Sequence, residues 1–132
     1  MNIMRNEMKV LNIGKNFSTD PIGRFRSDGN RSGETFREDY LKQAIQGLDT
    51  GEKLEIILDD GVESYGSSFL SEGFAGMVKY GYITSEELLT KIEIKYTNED
   101  FEFFKDKIIE YIVPERKLGF FREPEADQLR MG

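Results

Sequence analysis

A chain of 132 residues, 38% hydrophobic and 33% charged, suits one soluble globular domain and is too short to build a second core. It contains no cysteine and no histidine, which excludes disulfides, thiol nucleophiles, the commonest general base and the commonest zinc ligand. Its 25 acidic and 18 basic residues leave a formal charge of −7, so a general electrostatic grip on nucleic acid is disfavoured and any basic patch has to be local.

In chain order, residues 1–7 read as a flexible N-terminus, and "MNIMRNEMKV" lacks the apolar core and cleavage site of a secretory signal, which makes the cytoplasm the expected location. No apolar run approaches the roughly 20 residues that a membrane-spanning helix needs. "KVLNIG", residues 9–14, alternates well enough for a short strand ended by Gly14. From Phe17 to Ser32 the composition turns to Gly, Asp, Asn, Ser and Pro, the chemistry of a long loop. A helix follows with Ser32 as its cap, carrying Phe36, Tyr40, Leu41, Ala44, Ile45 and Leu48 at helical spacing.

"KLEIILDD" has the nearly continuous apolar run of a strand covered on both faces, here taken as the central one. The next helix starts at Ser67 or Ser68 and presents Leu70, Phe74, Met77 and Val78. Its Gly73 and Gly76 each cost about 1 kcal/mol relative to alanine, which implies that something approaches closely. "TSEELL" opens a short helix through a Thr84–Glu87 capping box, and "KIEIKYT" alternates as a half-buried strand. "NEDFEFFKDKIIEYI" gives a helix capped by Asn98, with Phe101, Phe104, Ile108, Tyr111 and Ile112 on one stripe and Pro114 closing it. Residues 114–132 form a charged tail, either mobile or docked through Phe120 and Phe121. The expected fold is α/β: a single domain over residues 8–113, with a small mixed sheet packed by three to four helices and binding surfaces at the ends of its central strands.

Three clusters carry candidate chemistry. Arg24, Arg26, Arg31 and Arg37 crowd a span containing Gly23, Gly29 and Gly33 just ahead of a helix start. Guanidinium forks and open amides could hold a phosphate, a nucleotide or another anion there, or the arginines could simply pair with neighbouring acids. The spacing fits neither a P-loop nor a dinucleotide fingerprint. The pair Ser67–Ser68 lacks a histidine base and the glycine bracketing of a nucleophile elbow, so it reads as a helix cap or a phosphorylation point rather than a nucleophile. The acidic pairs Asp59–Asp60 and Glu86–Glu87 suggest no metal centre: the first pair points to opposite faces of a strand, and the second sits where a helix dipole favours acids. No catalytic residue, metal or cofactor is assigned.

The blocks "FSTDPIGRFRSDG", "SGETFRE" and "LDDGVESYGSSFLSEGFAGMV" resemble the STAS-like family of small bacterial and phage-associated domains, over roughly residues 8–113. More distantly, the third block is similar to the STAS domains of anti-sigma factor antagonists, in which a strand leads to an Asp-Ser-Ser turn at the start of a helix. In those proteins the first serine is phosphorylated by a partner kinase of the histidine-kinase-like ATPase fold. The matching position is Ser67; Gly66 stands in place of the aspartate, and the arginine-glycine loop occupies the place of the usual second strand. The resemblance implies a cytoplasmic, non-catalytic regulatory or protein-interaction module. Its docking surface would be Tyr65, Gly66, Ser67, Ser68, Phe69 and Glu72, its partner such an ATPase, and its switch serine phosphorylation. Two other readings stand beside it: a nucleotide- or phosphate-binding domain or enzyme using Arg24, Arg26 and Ser67, and an acidic immunity or decoy protein that blocks a basic partner.

Overall fold

The computed structural model describes residues 9–113; the expectations for residues 1–7 and for the tail with Pro114, Phe120 and Phe121 lie outside them. Three short strands, β1 (Lys9–Asn12), β2 (Leu54–Ile57) and β3 (Ile92–Lys95), form one sheet in the order β1-β2-β3. The α/β class and the central place of β2 follow the sequence. Both pairings are parallel, however, with Leu11, Ile56 and Ile94 in register, so the sheet is not mixed. The physical reason lies in the connections, each of which contains a helix that carries the chain back to the starting end of the next strand. Sequential right-handed crossovers place their helices on one face of the sheet. Burial agrees: Leu11, Leu54, Ile56, Ile92 and Ile94 are buried, whereas Val10, Glu93 and Lys95 on the other face are exposed.

Four main helices cover the buried face. Helix α1 spans 33–46, regular over Gly33–Phe36 and Lys42–Gln46 with a wider turn at Arg37–Leu41 between them. Helix α2 spans 67–79 in the same manner, with its wider turn at Ser71–Ala75. Helices α3 (Ser85–Lys91) and α4 (Glu102–Ile112) complete the set. Three of the expected caps are in place: Ser32 accepts from Thr35 N–H at 3.2 Å, Thr84 from Glu87 N–H at 3.1 Å, and Asn98 from Asp100 N–H at 2.9 Å. The α4 stripe buries Phe101, Ile108 and Ile112 and packs Phe104 and Tyr111 against the core.

Helices α1 and α2 meet at glycines. A Cβ on Gly33 would stand 2.6 Å from the Phe69 carbonyl oxygen and 2.9 Å from the Gly73 nitrogen, and one on Gly76 would stand 2.5 Å from Arg37 Nη1. The close approach expected at Gly73 and Gly76 is therefore an approach of α1. Phe36 seals the crossing, its ring 5.5 Å from Phe17, 5.5 Å from Phe69 and 5.4 Å from Phe74.

Candidate functional site

The serine turn follows β2 at the carboxyl ends of the strands, where open parallel sheets present their binding surfaces. Tyr65 is buried, donates its hydroxyl to the Leu58 carbonyl at 2.7 Å, and stacks near Phe69 and Phe104. Burial holds its phenol well above the ordinary range. Gly66 occupies the N-cap position in extended backbone, with φ −83° and ψ 151°. This changes the role expected of the serines. A capping hydroxyl has to come from the extended residue, and that residue is glycine, so Ser67 is the first helical residue and this end has no side-chain cap bond. Gly66 and Ser67 are exposed and Ser68 is half-buried.

The docking set expected from the sequence splits here. Tyr65, Phe69 and Glu72 are buried and cannot act as exposed contacts. Tyr65 and Phe69 turn into the aromatic core, and Glu72 turns into the seam between α1 and α2. Gly66, Ser67 and Ser68 remain at the surface.

Glu72 centres a polar network that the sequence did not reveal. It is 2% exposed, and its partner Arg37 is 3% exposed. Arg37 Nη1 donates to the Glu72 carbonyl oxygen at 2.7 Å and to Glu72 Oε2 at 3.0 Å, while Arg37 Nε donates to Glu38 Oε2 at 2.9 Å. The Tyr80 hydroxyl donates to Glu72 Oε2 at 2.9 Å, and its ring lies 4.5 Å from the Arg37 guanidinium carbon. The Tyr82 hydroxyl donates to Glu38 Oε2 at 2.7 Å, and Lys42 Nζ sits 4.0 Å from the Tyr82 ring. Burial alone would lower the Arg37 pKa, but its bonds to Glu38 and Glu72 outweigh that and raise it. Burial, then the bond to Glu72, raises the Tyr80 phenol. "YGY", residues 80–82, was the available signal: two tyrosines around a glycine, which here adopts φ +83° and turns both rings back onto α1.

The four arginines do not converge on one anion site. Arg26 makes a two-pronged pair with Asp39 at 3.1 and 3.0 Å, Arg31 pairs with Asp20 at 2.9 Å, and Arg37 is buried against Glu72. The amides at the start of α1 are occupied by the loop itself. Gly33 N–H donates to the Gly23 carbonyl and Glu34 N–H to the Arg24 carbonyl, both at 3.0 Å. An anion would have to displace these bonds. Gly23, at φ +97°, lets the loop turn back onto the helix. Arg24 alone reaches the serine turn: its Nη2 lies 3.5 Å from Ser68 Oγ and its Nη1 lies 3.6 Å from Glu72 Oε1, with 40% of its side chain exposed.

Asp59 and Asp60 diverge, as their places on opposite faces require. Asp60 Oδ2 accepts from Asn12 Nδ2 at 2.8 Å, beside β1. Asp59 Oδ2 accepts from Thr97 N–H at 2.8 Å, Thr97 Oγ1 at 3.1 Å and Asn98 N–H at 2.8 Å, just past β3. Burial alone would raise the Asp59 carboxyl, but these donors outweigh it and hold the group below its ordinary value. A depressed carboxyl contributes stability that is present above the unfolded-state value of about 3.9 and is lost as pH falls through the folded-state value. Asp59→Asn is therefore expected to melt lower than the parent at pH 7. Thermal melts should show that gap narrowing once pH falls below about 3.9 and closing as it passes the lower folded-state value, where the parent's own carboxyl is protonated. A gap of constant size down to strongly acid pH would remove the charged clasp from the account.

Among the described residues no helix is long and apolar enough to cross a membrane. Comparison with known proteins finds no match among curated proteins and none among solved structures. The profile of one family, described as the STAS-like domain of unknown function (DUF4325), matches residues 32–102, from the cap of α1 through β2, the serine turn, α2 and β3 to the first residue of α4. With more than half of its length matched in this way, the chain belongs to the family of STAS-like domains of unknown function.

Proposed function

We propose that the domain is a non-catalytic regulatory module that docks a protein partner through the Ser67 turn and the beginning of α2, and that phosphorylation of Ser67 switches that docking. The observation that carries this reading is the uncapped start of α2, where exposed Ser67 is the first helical residue. The starts of α1 and α3, and the turn before α4, are each closed by a side chain. A phosphate on Ser67 would bring about two negative charges to the positive end of a helix dipole. Arg24, held 3.5 Å from Ser68 Oγ, is the nearby cation that would answer it. The partner implied by the resemblance to anti-sigma factor antagonists is a kinase of the histidine-kinase-like ATPase fold. An enzymatic reading has less behind it, since the arginines of the glycine-rich loop are largely committed to carboxylates.

Intact-mass measurement of the protein purified from its own host, with Ser67→Ala as control, tests the proposal. The expected result is a population heavier by one phosphate that disappears in Ser67→Ala, together with a co-purifying protein whose retention differs between the two forms. An unmodified chain that brings no partner with it would count decisively against both halves of the reading.

A further inference from the structure

Between α1 and the loop that precedes it lies a cleft of about 660 Å³, within the range of small-ligand sites. Thr35, Asp39 and Tyr40 of α1 line one side of it. Phe17 and Ser18, just past the turn that ends β1, and Asn30 and Arg31, at the end of the glycine-rich loop, line the rest. The cleft thus opens toward the carboxyl ends of the strands. The described chain begins at Lys9 and ends at Val113, after α4 has run back from the far end of β3, so both of its ends lie at the opposite end of the sheet.

Two properties of the lining define what would fill it. The first is a spare proton. Ser32 Oγ donates to Thr35 Oγ1 at 3.1 Å and accepts from the Thr35 N–H at 3.2 Å. That bond uses one of the two hydroxyl protons and leaves the one on Thr35, which is 7% exposed, without an acceptor among the described residues. The opposite sense would strand the proton on Ser32, which has no exposure at all. A buried donor without an acceptor is costly, and Thr35 lines the cleft, so an acceptor placed there relieves it. The second property is balanced charge. Arg31 pairs with Asp20 at 2.9 Å and Asp39 with Arg26 at 3.0 Å, which leaves no net charge for a ligand to answer. Each Asp39 oxygen takes one bond from Arg26 and keeps a free lone pair. Beside these polar groups the rings of Phe17 and Tyr40 meet edge to face, 5.1 Å apart, as an apolar wall.

We propose that this cleft binds a small neutral polyol with one apolar face, the chemistry shared by monosaccharides and cyclic polyols. The C–H face of such a ring packs on Phe17 and Tyr40, where weakly positive hydrogens meet aromatic π-density. One of its hydroxyl oxygens accepts the Thr35 proton, and its other hydroxyls donate to Asp39 and bond with the Asn30 amide. A phosphate or carboxylate fits poorly: it has to compete with Asp20 for Arg31 and meets Asp39 as a like charge. A wholly apolar ligand would strip water from Thr35 and Asp39 and return no bonds. Because the cleft is open and wet, binding is weak, with a dissociation constant in the millimolar range. The site is held by α1 and its loop, and does not depend on the Ser67 switch.

Amide NMR of the isotope-labelled full chain, titrated separately with D-glucose, D-galactose, D-ribose and myo-inositol, tests the proposal, with glycine and inorganic phosphate as charged comparisons. At least one polyol is expected to move the amides of Asn30, Arg31, Thr35 and Asp39 along one saturating curve, while glycine and phosphate do not. Thr35→Val should weaken that binding by about fivefold, and Thr35→Ser, which keeps the hydroxyl, should hold it within about twofold. Valine also deprives Ser32 of its acceptor, so Asn30→Ala, at an exposed loop position, provides a second variant with an expected loss of about fivefold. Melting curves verify that each variant is folded. The proposal is overturned if none of the four polyols gives a saturating shift in the cleft, if phosphate or glycine binds there more tightly than they do, or if binding is indifferent to both Thr35→Val and Asn30→Ala.

Discussion

Replacing Glu72 by alanine is expected to destabilise the domain by about 3 kcal/mol, a fall of roughly 10 °C in melting temperature for a domain of this size. The substitution removes the carboxylate that receives Arg37 Nη1 and the Tyr80 hydroxyl, and leaves a guanidinium that is 3% exposed with only Glu38 to balance it. The cost is that of a buried charge without its partner, which exceeds the net worth of the pair itself. Replacing both groups by apolar residues, Arg37→Met with Glu72→Leu, should accordingly recover much of the loss. Chemical denaturation of the parent, Arg37→Met, Glu72→Leu and the double variant measures the coupling. A single Glu72→Ala variant that melts within about 2 °C of the parent would show that the seam between α1 and α2 does not depend on this pair.

Gly33→Ala is the second large effect, and here two opposing terms have to be weighed. Alanine at a helical position gains up to about 1 kcal/mol of helix propensity over glycine. Against this, the new Cβ would lie 2.6 Å from the Phe69 carbonyl oxygen and 2.9 Å from the Gly73 nitrogen, both backbone atoms of α2 that cannot swing aside as a side-chain end can. The helices must separate, loosening the Phe36 contacts with Phe69 and Phe74, and such overpacking costs about 1–3 kcal/mol or more. The steric term wins, and a net loss of about 2 kcal/mol is expected from thermal or urea melts. Gly66→Ala provides the contrast: its Cβ meets open space, and the change should be nearly silent. Equal effects at the two positions would mean that the crossing is not glycine-limited.

The strands, the helices and three of their caps were legible because each depends on local chemistry. Ile92 and Ile94 alternate against charges, Ser32, Thr84 and Asn98 stand ahead of periodic apolar positions, and the run in "KLEII" identifies the central strand. The all-parallel arrangement was less legible, since strand direction depends on where each connecting helix delivers the chain. The candidate site was legible in position but not in composition. "YGSSF" marks the turn, yet the exposure of Tyr65, Phe69 and Glu72 depends on which face of α2 meets α1, and periodicity does not carry that information. Glu72 in particular reads as a surface acid until Arg37, 35 residues earlier, is laid against it by the crossing of the two helices. The cap role given to the serines failed by a single residue: extended backbone ends at Gly66, so Ser67 already belongs to the helix.

The bond from the Tyr65 hydroxyl to the Leu58 carbonyl has a consequence for any enzyme acting on the neighbouring serine. It ties the last residue before Gly66 back to the end of the central strand, and the Tyr65 ring is wedged among Phe69, Phe101 and Phe104. Kinases that thread their substrate as an extended peptide would have to pull this tyrosine out of the core before Ser67 could enter their cleft. An enzyme that modifies Ser67 in the native protein has to recognise the folded turn as a shaped surface, and unfolded or peptide versions of the same sequence would be poor substrates for it.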